Sequence, residues 1–390
     1  MSQGKNNIVI LGGGTSAYYI SKHLRSNGVD LPITVLSEEI YLPYNRVLLP
    51  RLLREEIDIE KVFFEDAEWY SDNNIRFICG VEAVNEGGVL TVFPTNHATR
   101  IQGVDKDRYS TFFDKNRKFH LYEDLTELFH SEHTYAVIAT GGDAFQPSSF
   151  PYSKNILTWR TIADTIYINN RIKNSKNIAL VGGSFIGMEL AMACDRYGIE
   201  TDWSIITQGM IRDQIDNSIQ SKIIKNFNSS VVTPYFVSSL DAIKDKGDRI
   251  SAILNGKEKE YDVILLGTGI VPSLHHKKDF IKGQVSYYAG DMVSFDFEGK
   301  QVQTGSFNQA VKVAKYIAQD MAGEIDIADQ AQQIKRDIAL TPYQIKFGSN
   351  LIRLAGLVDD SFESKVEDDG KRITQTWYNT KGEKVGYCIV

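Results

Sequence analysis

A chain of 390 residues, 42% apolar and 24% charged, is long enough for two or three domains and has the mix of a folded, water-exposed protein. A net charge of −7 with acids and bases interleaved argues against a nucleic-acid partner, because phosphate binding draws on a basic surface. The three cysteines, Cys79, Cys194 and Cys388, stand far apart and make no C-x-x-C pair. That sets aside a disulfide framework, a zinc site and a vicinal redox disulfide, and leaves each cysteine as core filling.

The first seven residues carry no signal-peptide anatomy, and no later stretch approaches the roughly 18 apolar residues of a membrane span, so a cytoplasmic protein without a span is expected. Residues 8–11 (Ile-Val-Ile-Leu) predict a strand, Gly12-Gly13-Gly14 a turn, and Ala17, Ile20 and Leu24 the inner face of a helix. A second strand follows at 33–36, completing one βαβ unit. The polar segment 87–133 reads as strands and loops on an edge, or an insertion there. Ala136–Gly142 is a buried strand ending in glycines, where backbone passes close to a ligand or to other backbone. The βαβ pattern returns about 170 residues after the first, as an internal duplication: strand 178–181, turn Gly182-Gly183, helix 185–197, and a strand near 203–207. A second strand-to-glycine junction runs from Val263 to Gly269. A helix over 304–323 presents Phe307, Ala310, Val311, Ala314, Ile317 and Met321 on one face. Beyond about residue 335, short alternating runs predict a small C-terminal sheet.

Gly12-x-Gly14-x-x-Ala17 lies where strand hands over to helix. The first glycine permits the tight turn, the second lets backbone N–H groups approach a pyrophosphate, and Ala17 lets the helix pack on the strand. Glu38, 24 residues after Gly14, is placed to accept from an adenosine ribose. The pattern predicts a dinucleotide site, with a plain glycine turn as the alternative. The second turn reads Gly182-Gly183-Ser184-Phe185-Ile186-Gly187, with Ser184 at the middle glycine position. The place for its ribose acid falls at Ile205, Ile206 and Thr207, with neither a carboxylate nor an arginine; Asp202 comes too early in the strand. A nicotinamide nucleotide site and a vestigial structural unit both remain open here.

Taken together, these segments resemble the pyridine-nucleotide-dependent flavoprotein reductases with two dinucleotide domains: rubredoxin reductases, ferredoxin reductases of oxygenase systems, the flavin part of assimilatory nitrite reductases, and NADH oxidases. The resemblance covers roughly residues 6–325. Ile8–Gly14 resembles the FAD fingerprint, and Pro43-Tyr44-Asn45-Arg46 resembles a segment whose arginine meets the FAD phosphates. Ala139-Thr140-Gly141 is similar to the motif that returns the chain to the flavin. Trp159–Asp164 is similar to the lead-in to the second nucleotide domain, and Leu266–Pro272, with Gly269, to its exit. Tyr288-Ala289-Gly290-Asp291 resembles the motif whose aspartate binds the ribityl chain, and Asn308-Gln309-Ala310 the start of the helix after it.

The family's lysine–glutamate pair beside the flavin falls at Arg51 and Glu189. An arginine there keeps the charge complementarity and adds fork geometry; a plain interdomain salt bridge is the alternative. Phe185 takes the place of an aromatic that covers the flavin until NAD(P)H displaces it, or is simply core.

The resemblance implies an α/β fold of two Rossmann-like dinucleotide-binding domains with a small α+β C-terminal domain. The FAD domain would take 1–150 and 265–330, the NAD(P) domain 151–264 and the small domain 331–390. It implies FAD and NAD(P)H as cofactors and hydride transfer to the flavin. Electrons would then pass to an iron–sulfur or rubredoxin-type protein, a quinone or oxygen. The C-terminal piece implies dimer contacts, as in a homodimer, or a wall near the flavin. Two rival readings are an FAD-binding scaffold with a decayed second site and a flavin oxidase of a small organic substrate.

Overall fold

Apolar strand runs broken by glycine turns build two compact units in the computed structural model, which describes residues 7–86, 89–94, 134–273 and 285–390. The first unit takes the chain up to Val47, Ile59–Gly142 and Pro272–Ile338; the second takes Leu48–Asp58, Asp143–Val271 and Ala339–Val390.

In the first unit, β1 (Asn7–Leu11), β2 (Ile33–Ser37), β3 (Ile75–Cys79), β6 (Thr134–Ile138) and β17 (Val285–Tyr288) form a sheet in the order β17-β6-β1-β2-β3. All its pairings are parallel. Ile8, Val9, Ile10 and Leu11 are all buried, which is why β1 reads as an unbroken apolar run: helices cover one face and a second apolar layer the other. On one face, helix α1 (Thr15–Ser26) packs with α7 (Phe307–Met321), joining Ile20, Leu24, Val313, Ala314 and Ile317 in one core. On the other lie Val9, Leu11, Leu36, Ile78, Ile138 and Met292. The buried stripe of α7 is Ala310, Val313, Ala314, Ile317 and Ala318. It therefore runs through Val313 rather than the expected Val311, following the i, i+3, i+4 spacing. Of the polar segment 87–133, only β5 (Val89–Pro94) lies among the described residues, and it pairs antiparallel with β4 (Val81–Glu86). A second hairpin joins β18 (Ser294–Phe297) and β19 (Lys300–Gln303).

In the second unit, β8 (Ile156–Thr158), β9 (Asn177–Val181), β10 (Glu200–Ile205), β11 (Val232–Phe236) and β15 (Val263–Leu266) form a parallel sheet in the order β11-β10-β9-β15-β8. Helix α4 (Ile162–Lys173) starts in a capping box between Thr161 and Asp164, and α5 (Phe185–Tyr197) ends on Gly198 in the left-handed conformation, as a helix stop requires. The antiparallel strands β12 (Leu240–Asp245), β13 (Ile250–Leu254) and β14 (Lys257–Tyr261) close one core with Ala179, Val181 and Ile264. The five-residue helix α2 (Leu49–Leu53) packs against α4 and α5. Short strands β7 (Gly142–Ala144) and β16 (Ile270–Pro272) pair with each other.

The C-terminal strands β20 (Tyr343–Phe347), β21 (Asn350–Gly356), β22 (Glu363–Asp368), β23 (Ile373–Tyr378) and β24 (Lys384–Ile389) make an antiparallel sheet in the order β20-β21-β24-β23-β22. Ile373, Gln375 and Trp377 point inward and alternate with Thr374, Thr376 and Tyr378, the period of a half-covered sheet. Asn350 meets Asn226 at 2.7 Å, and Gln375 accepts from the Asp216 N–H at 2.7 Å and donates to the Gln214 carbonyl at 3.2 Å. These bonds make residues 339–390 part of the second unit, whereas the sequence reading kept 331–390 apart. Helix α8 (Ala331–Ala339) leads into this sheet from the first unit.

Candidate functional site

Gly12 sits at φ 105° with its place for a Cβ 2.3 Å from the Ala139 carbonyl oxygen. No side chain fits there, so glycine is required for β1 to turn beneath the β6 exit. Gly14 differs: it begins α1 at φ −92°, and a Cβ there would meet nothing within 4 Å. No side chain caps the N-terminus of α1. By contrast, Asp66, Thr161, Asp216 and Ser306 each accept from a first-turn N–H of α3 (Ala67–Asp72), α4, α6 (Asn217–Asn226) and α7. Uncapped N–H groups with the helix dipole behind them and space in front suit a phosphate. Ala17 is buried against the sheet core, as the pattern requires.

In the same unit, Arg46 Nη2 meets Glu39 Oε1 at 2.5 Å, Arg46 Nη1 donates to the Tyr44 hydroxyl at 2.6 Å, and Tyr44 donates to Glu39 Oε2 at 2.6 Å. Burial works against the guanidinium charge, but Glu39, Tyr44 and Asp291 outweigh it and hold Arg46 above its ordinary range. Glu38 is exposed, the first residue past β2, and the next residue, Glu39, is the one that closes on Arg46. Thr140 donates to Met292 Sδ at 2.5 Å. Gly141 and Gly290 both adopt positive φ, and the Gly290 carbonyl accepts from the Thr304 hydroxyl at 2.5 Å. Thus Gly12, Gly14, Ala17, Glu38, Arg46, Thr140, Gly141, Gly290 and Asp291 all belong to the first unit.

The second turn repeats the first with tighter backbone packing. Gly182 stands at φ 107°, and a Cβ on it would lie 2.5 Å from the Gly267 carbonyl oxygen. A Cβ on Gly187 would fall 2.0 Å from the Gly182 oxygen, and one on Gly267 2.5 Å from the Gly187 Cα. Gly267, expected within the Val263–Gly269 strand-to-glycine junction but not as a site residue, is thus the third member of a glycine junction, where backbone passes close to backbone. Ser184 precedes α5 but leaves the helix uncapped; its hydroxyl donates to the Gly267 carbonyl at 2.7 Å. Serine is accommodated because it turns away from the helix N–H groups and leaves them for a ligand. Phe185 is half-buried and meets the ring of Tyr343 edge-on, centroids 5.2 Å apart. Ile186 follows it in the first turn of α5. Gly269, at φ 98°, accepts from the Phe145 N–H at 2.9 Å.

One expectation is corrected. Glu189 is met by Arg54, not Arg51: Arg54 Nη1 lies 2.7 Å from Glu189 Oε2, while Arg51 pairs with Glu56 at 3.5 Å and is half-exposed. Segment 48–58 belongs to the second unit, so this pair lies within one unit. Burial pushes the Glu189 carboxyl above its ordinary value against the pull of Arg54. Arg54 is itself held above its own, its losses to burial outweighed by Glu56 and Glu189.

All three cysteines are free, and burial pushes the Cys194 and Cys388 thiols up to about 12, so neither is a thiolate near neutral pH. Among the described residues there is no metal-ligating cluster, and no helix is long and apolar enough to cross a membrane.

Residues 6–286 match the profile of the pyridine nucleotide-disulphide oxidoreductases. The chain is 23% identical over 274 residues to a nitrite reductase [NAD(P)H] of Bacillus subtilis, covering 69% of this chain and 30% of that protein. It is 24% identical over 209 residues to an NADH-rubredoxin oxidoreductase of Clostridium acetobutylicum, covering 54% of this chain and 46% of that one. It therefore spans less than half the length of either relative. A ferredoxin reductase from Rhodopseudomonas palustris superposes with a TM-score of 0.75 at 17% identity, over 98% of this chain and 91% of its own, which establishes the shared fold. With the profile match covering well over half its length, this chain belongs to the pyridine nucleotide-disulphide oxidoreductase family.

Proposed function

We propose that the chain is an NAD(P)H-dependent flavoprotein reductase, with FAD on the first unit and NAD(P)H on the second, serving an electron acceptor. The observation that carries this reading is the pair of uncapped helix N-termini, α1 and α5, each behind a glycine turn and one in each unit. Bound FAD would supply hydride acceptance and electron release. The N–H groups at the start of α1 and Arg46 would hold its phosphates, Glu38 its ribose, and Asp291 its ribityl chain, with Thr140, Gly141 and Gly290 framing the site. At the second turn Gly182, Ser184, Phe185, Ile186, Gly187 and Gly269 would shape the nicotinamide nucleotide site, and the Arg54–Glu189 pair would orient α5 behind it. With the Cys194 and Cys388 thiols protonated and no C-x-x-C pair in the chain, electrons would leave without a cysteine relay. The names of relatives that are an NADH-rubredoxin oxidoreductase and a ferredoxin--NAD(+) reductase component support a rubredoxin- or ferredoxin-type acceptor, with a quinone or oxygen as the small-molecule alternative. Three free cysteines suit a reducing, cytoplasmic setting.

A second reading, an FAD-binding scaffold, draws support from Ile206, which is 69% exposed where a ribose acid would stand. Anaerobic titration of the yellow protein with NADH and then NADPH separates the two. Bleaching of the flavin band supports the reductase, and a band that neither nucleotide bleaches leaves the scaffold.

A further inference from the structure

In a dinucleotide fold the residues just past the second strand read the adenosine 2′ position: a carboxylate accepts from the ribose hydroxyls and repels a 2′-phosphate, and a cation welcomes the phosphate. In the second unit that place is the end of β10, all of it among the described residues. Ile205 is buried under the glycine turn, its Cγ2 2.9 Å from where a Gly183 Cβ would be. Ile206 is 69% exposed and Val237 70% exposed. They are brought together by bonds from the Val237 N–H to the Thr207 carbonyl at 3.2 Å and from the Ser238 N–H to the Ile205 carbonyl at 3.0 Å. At the strand end itself the Thr207 hydroxyl donates to the Gly209 carbonyl at 2.7 Å, and the Asp213 carboxylate accepts from the Gln208 N–H at 2.8 Å; the exposed Arg212 stands farther along the loop, five residues past Thr207.

Backbone strain marks the two loops that meet here, one after β10 and one after β11. Val237 at φ 50° and Ile211 at φ 71° are β-branched residues in the left-handed region, a costly conformation that persists where surrounding bonds impose it. The Ile211 N–H donates to the Gly183 carbonyl at 2.8 Å, tying the loop after β10 to the glycine turn.

We infer that this site does not read the adenosine 2′ position, and that Ile206 and Val237 form an apolar shelf for the adenine, so that NADH and NADPH are both accepted. The inference rests on the reductase reading. An apolar surface discriminates weakly, so the two nucleotides should differ by no more than about fivefold in kcat/KM.

The test uses the flavin-loaded protein. ADP-ribose and 2′-phospho-ADP-ribose are titrated by calorimetry, and NADH and NADPH are compared in anaerobic flavin reduction. The expected result is dissociation constants within about fivefold of each other. Ile206→Glu should weaken the 2′-phosphorylated fragment about tenfold more than it weakens ADP-ribose, and Ile206→Arg should shift the ratio of the two the other way. Because Ile206 is exposed, neither change disturbs the core. A wild-type preference of about twentyfold or more in either direction overturns the inference while the reductase reading stands. A preference for the 2′-phosphate that vanishes in Arg212→Ala would make Arg212 the reader. If the fragments bind alike and neither nucleotide reduces the flavin, the reductase reading fails alone; if neither fragment binds, both fail.

Discussion

Glu189 on α5 is held by Arg54, the residue that closes α2, and not by Arg51 one turn earlier. Leu49 and Leu53 take the buried side of α2, and Arg51, two positions from each, faces outward at 51% exposure. Arg54 and Glu189 are 13% and 19% exposed. Removing one partner leaves a half-buried charge uncompensated, so Arg54→Ala should cost about 2–3 kcal/mol and Arg51→Ala less than about 0.5 kcal/mol. The pH dependence has a definite sign. The folded Glu189 carboxyl lies above its ordinary 4.5, so the native state binds the extra proton. The stability this gives is complete below the unfolded value and is lost as pH rises through the folded one. Without Arg54 the folded value climbs further, so the deficit against wild type should widen between about pH 5 and pH 8. Urea unfolding at the two pH values measures it; a deficit of equal size at both would show that Glu189 does not carry the effect. Adding Glu189→Gln to Arg54→Ala should flatten the difference.

The glycines divide into those the fold needs and those a ligand needs. In Gly187→Ala the new Cβ would press on the Gly182 carbonyl from 2.0 Å, backbone against backbone. A loss of about 3 kcal/mol or more is expected, with the second turn distorted. In Gly14→Ala the methyl would enter open space at a φ that alanine accepts, so thermal unfolding should stay within about 2 °C of wild type. That methyl nonetheless stands in front of the α1 N–H groups, so flavin content after purification should fall sharply. A Gly14→Ala protein that keeps its flavin at wild-type affinity would place the phosphates elsewhere.

These contrasts show what a sequence can and cannot disclose. The strands β1 and β9 are legible because burial on both faces leaves the unbroken apolar runs Ile8–Leu11 and Ile178–Val181, and each is followed by a turn at which glycine is required. The stripe of α7 was legible apart from Val311: the i, i+3, i+4 spacing from Ala310 through Ala314 and Ile317 leads through Val313, which packs toward α1. Arg54 was hidden because pairing by resemblance fixes a position in the alignment, whereas the length of α2 fixes where the chain turns. The docking of the C-terminal sheet on the second unit was hidden too. It depends on Gln375 reaching Asp216 and on Asn350 reaching Asn226, and no local pattern encodes a partner more than a hundred residues away.

Arg46 is poised by two neighbours rather than by one ion pair. Glu39 and the Tyr44 hydroxyl both hold its guanidinium, and the Tyr44 ring lies beneath it at 4.8 Å. If this fork addresses the FAD phosphates, Arg46→Ala should weaken FAD binding about tenfold or more, and Arg46→Lys should restore only part of it, since an ammonium offers a point charge without the planar fork. Tyr44→Phe keeps the ring and loses two hydrogen bonds, to Arg46 and to Glu39, each worth about 1 kcal/mol. Fluorescence titration of the flavin-stripped protein with FAD gives all three affinities; full recovery by lysine would argue for charge alone.

Tyr343 makes the C-terminal sheet part of the second site's surroundings. It opens β20, and its ring stands edge-on to Phe185 at 5.2 Å, 66° between planes, where α5 leaves the glycine turn. Such a pair contributes about 0.5–1.5 kcal/mol beyond its buried area, and here it also fixes the rotamer of the first side chain past the turn. Tyr343→Ala should therefore lower stability by about 1–2 kcal/mol and raise KM for the pyridine nucleotide several-fold, with flavin content unchanged. Tyr343→Phe should be silent, because the ring makes the contact. The phenol adds no pH dependence near neutrality: burial holds it above its ordinary value, with the Arg212 charge opposing, so it stays protonated throughout. Thermal unfolding and steady-state kinetics distinguish a wall of the site from ordinary core. If Tyr343→Ala shifts the melting temperature and leaves both KM values untouched, the ring only packs. If KM rises while Tyr343→Phe behaves as wild type, Phe185 works from a position that the C-terminal sheet sets.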